Sequence, residues 1–155
     1  MHPDDLRSAI ARLAREVDIE GVKYVLGVPE GGYIPAFAFA AEVGLRLVLA
    51  SIWQPNVPGV VSFVEEHNTQ FARAKHFHGL SPGDHVIVVE DEVSSGQTII
   101  NCVRALRAAA IRCDQVATIY AADDPAMHAR VAAEGIRLHA ASLCQADINE
   151  QLYRR

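Results

Sequence analysis

Glu90 and Asp91 stand side by side where the apolar run HVIVVE (85–90) ends, and Ser94, Ser95, Gly96, Gln97 and Thr98 follow almost at once. Carboxylates next to residues as apolar as Val88 and Val89 carry a desolvation cost unless they are paired or hydrogen-bonded. Gly96 permits a tight turn, the hydroxyls add donors, and a helix beginning near Gln97 points its positive end at the same place. That combination suits a dianionic phosphate. Bare phosphate would be repelled by the two acids. A phosphorylated sugar would not, because carboxylates accept hydrogen bonds from a diol, and a divalent ion can sit between acid, hydroxyl and diphosphate. The plainer alternative is a charged turn with Ser94 or Ser95 capping the next helix. Capping and phosphate binding are compatible.

A second stretch, GVPEGGYIPA (27–36), has the same layout of strand, glycine pair and helix. Gly31 and Gly32 let a backbone approach a ligand closely. With Pro29 and Glu30 they form a second candidate anion loop, and a simple strand-to-helix turn is the alternative. A sugar with phosphates at both ends would use both loops. Neither is a Walker loop, since no lysine follows Gly96, and no G-x-G-x-x-G follows an expected strand.

The elements that must carry these loops follow from periodicity. Leu6, Ile10, Leu13 and Val17 share one face of a helix over 4–17. Strands are expected at 23–28, 45–52, 85–90, 115–122 and 136–143, and helices at 33–43, 97–110 and 125–135. Residues 53–80 carry Pro55, Pro58, Gly59 and Gly79 and read as a hairpin or a long flexible excursion. Strands alternating with helices, several of them continuously apolar, imply an α/β fold. Its expected form is a mostly parallel twisted sheet flanked by helices. In such sheets ligands bind beyond the carboxyl ends of the strands, where both glycine loops fall.

The chain has 155 residues, 50% hydrophobic, with a net charge of −5. That is one domain (1–155) with a real core, and a broad nucleic-acid-binding face is not expected. No window is long and apolar enough for a membrane span, and MHPDDLRSAI has no apolar signal core. Cys102, Cys113 and Cys144 form no metal or disulfide framework, which implies a reducing, cytoplasmic setting. His67, His76, His78 and His85 fix no metal-ligand spacing.

Taken together, VVEDEVSSGQT (88–98) and GVPEGGYIPAFAFAAEVG (27–44) resemble the type I phosphoribosyltransferase family. Its signature is an apolar strand, two adjacent acids, two variable residues and a small hydroxyl-rich phosphate loop. SPGD (81–84) before the strand resembles the adenine-type branch, and the likeness covers about 21–121. It implies a core over about 21–143 with a small hood built from the termini. It also implies transfer of 5-phosphoribose from 5-phosphoribosyl 1-pyrophosphate (PRPP) to a nucleobase, weakly favouring a purine. Mg²⁺ would be held through PRPP, with Glu90 and Asp91 as further ligands. On that likeness Glu90 and Asp91 hold the ribose hydroxyls, Ser94–Thr98 bind the 5-phosphate, and Pro29, Glu30, Gly31 and Gly32 surround the pyrophosphate. Residues 53–80 would be a flexible catalytic loop, and a homodimer is implied.

The sequence departs from that pattern after the strand at 45–52, where a cation is usual and Trp53 and Gln54 stand instead. Trp53 is open to stacking on a base, interface packing or a core role. Arg73 and Lys75 are the cations left to serve the site, with ordinary solvated charge as the alternative. Glu92 is a third acid where an apolar residue is usual, and the hood has Asp147, Asn149, Gln151 and Tyr153 for a base edge. Two other functions stay open: a PRPP- or nucleotide-binding regulatory protein without transfer, and an α/β protein that binds another phosphorylated metabolite.

Overall fold

The computed structural model of the protein describes residues 2–66 and 73–144. Five strands form one sheet, every pair in it parallel: β1 (Tyr24–Gly27), β2 (Arg46–Leu49), β5 (Val86–Val93), β6 (Gln115–Ala122) and β7 (Arg137–Cys144). Their order is β2-β1-β5-β6-β7. The chain runs outward from β1 to β2 and then returns to place β5 on the other side of β1. The crevice between β1 and β5 is therefore a topological switch point, where an α/β sheet binds its ligands.

Each face of the sheet is covered by two helices. Ile10 and Leu13 of α1 (Pro3–Glu16) and Ala36, Phe39 and Ala40 of α2 (Tyr33–Val43) pack with Val25, Ile87, Val89, Ala117 and Ile119. On the opposite face, Ile99, Val103 and Leu106 of α3 (Gln97–Ala108) and Met127 and Val131 of α4 (Pro125–Ala133) pack with Leu26, Val86, Val88 and Val116. Strands buried on both faces read as continuous apolar runs, which is why 85–89 and 115–119 were recognisable. α1 thus belongs to a core layer. The tail residues Asp147, Asn149, Gln151 and Tyr153, and His67, lie outside the described residues.

One expectation changes. β5 does not stop at Glu90. It continues to Val93, because Glu90, Glu92 and Val93 keep pairing with Thr118, Tyr120 and Ala121 of β6. The acids therefore lie inside the strand and inherit its rigidity. Of the two forms expected for residues 53–80, the described part takes the hairpin: β3 (Val61–Glu65) and β4 (Arg73–Phe77) pair antiparallel. It is tied to the sheet by two backbone bonds between Ser51 and His76, of 2.6 and 2.8 Å.

Alternation on the hairpin turns Phe63, Glu65, Lys75 and Phe77 to its buried side. Lys75 Nζ lies 2.8 Å from Glu65 Oε2, with the two side chains 3% and 9% exposed. Lys75 is neither a solvated charge nor a cation standing free for a ligand. Arg73 is exposed. Removing one partner of such a pair leaves the other charge buried and uncompensated. Lys75→Met should cost about 3 kcal/mol of stability or more, and the double variant Lys75→Met, Glu65→Met should recover much of it. Urea unfolding of the three proteins measures both quantities.

Candidate active site

The loop after β1 runs directly into the acids of β5. Val28 N–H donates to the Val89 carbonyl at 3.0 Å, which extends the β1–β5 pairing past Gly27. The Pro29–Glu30 peptide is cis. Gly31 lies against the Asp91 carboxylate so closely that an added methyl group would overlap all three of its terminal atoms. A methyl on Gly32 would collide with the Val28 carbonyl and sit 2.9 Å from the Val89 carbonyl oxygen and 3.1 Å from Glu90 Oε1. Both glycines are present because a side chain has nowhere to go. Asp91 can swing away from an intruder at Gly31, whereas the backbone carbonyls around Gly32 cannot. The two loops expected to hold opposite ends of a ligand therefore meet at Glu90 and Asp91.

Glu90 is 8% exposed, and its Oε1 accepts from the Asp91 N–H at 3.1 Å. Burial pushes its pKa well above the usual carboxylate range. The neighbouring Asp91, by hydrogen bond and by charge, and then the charge of Glu65 push in the same direction. Asp91 and Glu92 are half-buried.

Ser94 and Ser95 lead to Gly96, whose φ of 76° and ψ of −6° place it in the left-handed region at the N-terminal boundary of α3. Ser95 Oγ accepts from Gln97 N–H at 3.3 Å, so the serine closes the turn from one position earlier than an ordinary cap. No side chain at Gly96 caps the helix, and its first turn carries no acid. The amides of Thr98 and Ile99 have no recorded acceptor among the described residues. They leave the positive end of α3 available to an anion.

The hairpin closes onto the same turn. Thr98 Oγ1 accepts from Glu66 N–H at 3.1 Å and donates to the Glu66 carbonyl at 3.2 Å. Asn101 Nδ2 donates to the Val64 carbonyl at 3.0 Å. The Thr98 hydroxyl is thus spent on the hairpin. Beneath the loop, a methyl on Gly96 would meet Val131 Cγ2 at 2.8 Å, and Arg130 of α4 donates to the Ser95 carbonyl at 2.8 Å. Nothing in the sequence marks Arg130, because its role depends on where α4 packs.

Trp53 is 78% exposed, which removes the core role. Gln54 is exposed too. Among the described residues no three His, Cys, Asp or Glu side chains converge on a metal position. The set fits a Mg²⁺ held chiefly by substrate oxygens with one or two carboxylates, the usual manner of that ion beside phosphates. It does not fit a metal caged by protein alone. His76 Nδ1 pairs with Ser62 Oγ at 2.8 Å. His85 is held between Arg112 and Asp114 at the opposite end of β5.

Residues 3–137 match the phosphoribosyl transferase domain family, and the chain belongs to that family. It is 31% identical over 100 residues to an adenine phosphoribosyltransferase of Synechococcus sp., an alignment covering 62% of this chain and 56% of that protein. It is 29% identical over 112 residues to a hypoxanthine/guanine phosphoribosyltransferase of Methanothrix thermoacetophila, covering 69% and 55%. The aligned part thus spans just over half the length of these relatives. The fold is similar to that of adenine phosphoribosyltransferase from Rhodothermus marinus, with a TM-score of 0.76, 19% identity, and coverage of 92% of this chain and 81% of that one. No helix among the described residues is long and apolar enough to cross a membrane.

The raised Glu90 pKa has a sign that can be checked. A carboxyl that binds its proton more tightly in the folded state contributes stability at low pH. That contribution is lost as pH rises from the unfolded value through the folded one. Stability of the ligand-free protein should therefore fall across that window above the usual carboxylate range. Glu90→Gln, which cannot ionise, should flatten the decline. Melting temperature against pH for both proteins tests it, and parallel curves would remove Glu90 as the cause.

Proposed function

We propose that the protein transfers 5-phosphoribose from PRPP to a ring nitrogen of a nucleobase and releases pyrophosphate. The observation that carries this reading is the meeting of two glycine-dependent loops at Glu90 and Asp91, inside the family's domain. One loop (Pro29, Glu30, Gly31, Gly32) offers the N-terminus of α2 to the pyrophosphate. The other (Ser94 to Thr98) offers the N-terminus of α3 to the 5-phosphate. Between them the two acids face the sugar hydroxyls.

In the reaction the bond from the anomeric carbon to the pyrophosphate oxygen breaks, and its electron pair leaves with pyrophosphate. Positive charge grows on the ribose ring, the base nitrogen supplies the pair for the new C–N bond, and the ring N–H proton of the base is released to pyrophosphate or water. Asp91 and Glu90 orient the hydroxyls and stabilise that charge electrostatically. Asp91 is the half-exposed member suited to accept from a hydroxyl. Glu90 is the buried member, and its Oε1 already accepts from the Asp91 N–H. Bound Mg²⁺ would neutralise diphosphate charge. Exclusion of water favours transfer over hydrolysis, and the hairpin at Thr98 and Asn101 already covers one side of the phosphate turn.

A purine acceptor is supported by the names of several relatives, which specify adenine or hypoxanthine/guanine. One relative is an orotate enzyme. A homodimer is supported by large apolar side chains left exposed on α2 (Ile34 and Phe37) and on and just after the edge strand β2 (Leu49, Ile52 and Trp53). Sedimentation equilibrium should therefore give twice the 16.9 kDa of one chain. A cytoplasmic setting is in keeping with Cys102 and Cys113 as buried free thiols. A PRPP-binding regulatory protein is the second reading, favoured by Trp53 and Gln54 at the usual cation position and by the commitment of Lys75 to Glu65.

Calorimetric titration with PRPP and Mg²⁺, followed by a nucleobase screen for pyrophosphate release, separates these readings. Binding with turnover supports the enzyme, binding without turnover supports the regulator, and no binding removes both. If turnover is found, Asp91→Asn should lower it about 100-fold at an unchanged melting temperature. Full activity in that variant would remove the role given to Asp91.

A further inference from the structure

The turn that presents amides to the phosphate has a weakness of its own. Gly96 sits at positive φ, and glycine tolerates either sign of φ. The Ser95–Gly96 peptide can therefore turn over at little steric cost. In a trans peptide the C=O and N–H point in opposite directions. Turning it over would replace an amide donor by a carbonyl oxygen facing the bound anion. Something other than the turn's own sterics must choose the orientation.

We propose that Arg130 makes that choice and is a positioning residue of the phosphate loop. Its Nη2 donates to the Ser95 carbonyl at 2.8 Å. The carbonyl is thereby drawn toward α4, and the Gly96 N–H of the same peptide points the other way, away from α4. The bond is charge-assisted and stronger than one between neutral groups. It also has no recorded competitor: among the described residues Arg130 makes no ion pair with a carboxylate. Lys75 of the hairpin and Arg104 of α3 are committed elsewhere, to Glu65 and Glu134. Met127 and Val131, one helical turn apart, pack on Gly96 from the same helix, which fixes the position of Arg130 relative to the peptide it holds. The surroundings make the orientation matter. Asp91 lies on β5 and Glu66 is the residue that Thr98 binds, so a carbonyl turned inward would join these carboxylates in opposing a bound phosphate.

This assignment rests on the phosphoribosyl reading of the loop, and the test separates the two. Ribose 5-phosphate and pyrophosphate with Mg²⁺ are titrated separately into the native protein, Arg130→Met, Arg130→Gln and Arg130→Lys. The amide signal of Gly96 is followed by NMR in each. The expected result is a roughly tenfold loss of ribose 5-phosphate affinity in Arg130→Met, a loss of about 1.4 kcal/mol, with pyrophosphate affinity unchanged. The Gly96 amide should shift on ribose 5-phosphate binding in the native protein and much less in Arg130→Met. Arg130→Lys should recover most of the affinity, and Arg130→Gln, a neutral donor, part of it. Native-like ribose 5-phosphate binding in Arg130→Met would overturn the role of Arg130 alone. Equal loss of both ligands together with a lowered melting temperature would reduce Arg130 to a general stabilising contact. Failure of the native protein to bind either ligand would overturn the loop reading itself, and this inference with it.

Discussion

Everything at the candidate site depends on how close the backbone at Gly31 and Gly32 comes to the carboxyl groups of Glu90 and Asp91. That approach is possible only because β1 and β5 are direct neighbours and because their pairing is carried on by the Val28–Val89 bond. It brings the start of α2 to the acids from one side while α3 begins on the other. Two helix N-termini and two carboxylates then share one crevice, the arrangement suited to a ligand anionic at both ends and hydroxylated between them. The energetic cost falls on Glu90, which is held in a place where a carboxylate is poorly solvated and binds its proton tightly in consequence.

Most elements were legible in the sequence for a simple reason. Strands covered on both faces have to be apolar throughout, so 86–89 and 115–119 identify themselves, and the helix at 33–43 begins and ends where its glycines stand. The acids stood out as a candidate site because two adjacent carboxylates beside a core strand carry a desolvation cost, though a charged turn was the plainer alternative. What was not legible was that the strand passes through them. Pairing of Glu92 with Tyr120 is a property of two distant segments and leaves no local pattern. Ser95 was readable as a capping residue, but its position one residue before a left-handed glycine was not.

The hairpin shows a different kind of limit. Its alternation was visible, but the inward residues two along from Phe63 and Phe77 are Glu65 and Lys75, and charged residues ordinarily mark the outer face. The aromatic pair, with ring centroids 6.3 Å apart, was the available signal: whatever lies two residues from each ring points the same way. Read so, Lys75 would have been expected inside and in need of a carboxylate. Trp53 is the opposite case, a large apolar residue left in solvent, which removes the core role and leaves base stacking and interface packing open. Arg130 offered no signal, since only tertiary packing sets it beside Ser95.

The order of the strands also bears on how the crevice comes into being during folding. β1 finds β2 nearby in the chain, and β5, β6 and β7 with their helices are likewise assembled from successive segments. The pairing of Tyr24 with Val86 is of another sort, since it must close a long stretch of chain that includes the whole hairpin. Closing a longer loop costs more entropy, and distant pairings slow folding. Each wall of the site can therefore form from local contacts, whereas the space between the walls exists only once the most distant pairing has been made. Stability of the chain and competence of the site are joined at that single seam between β1 and β5.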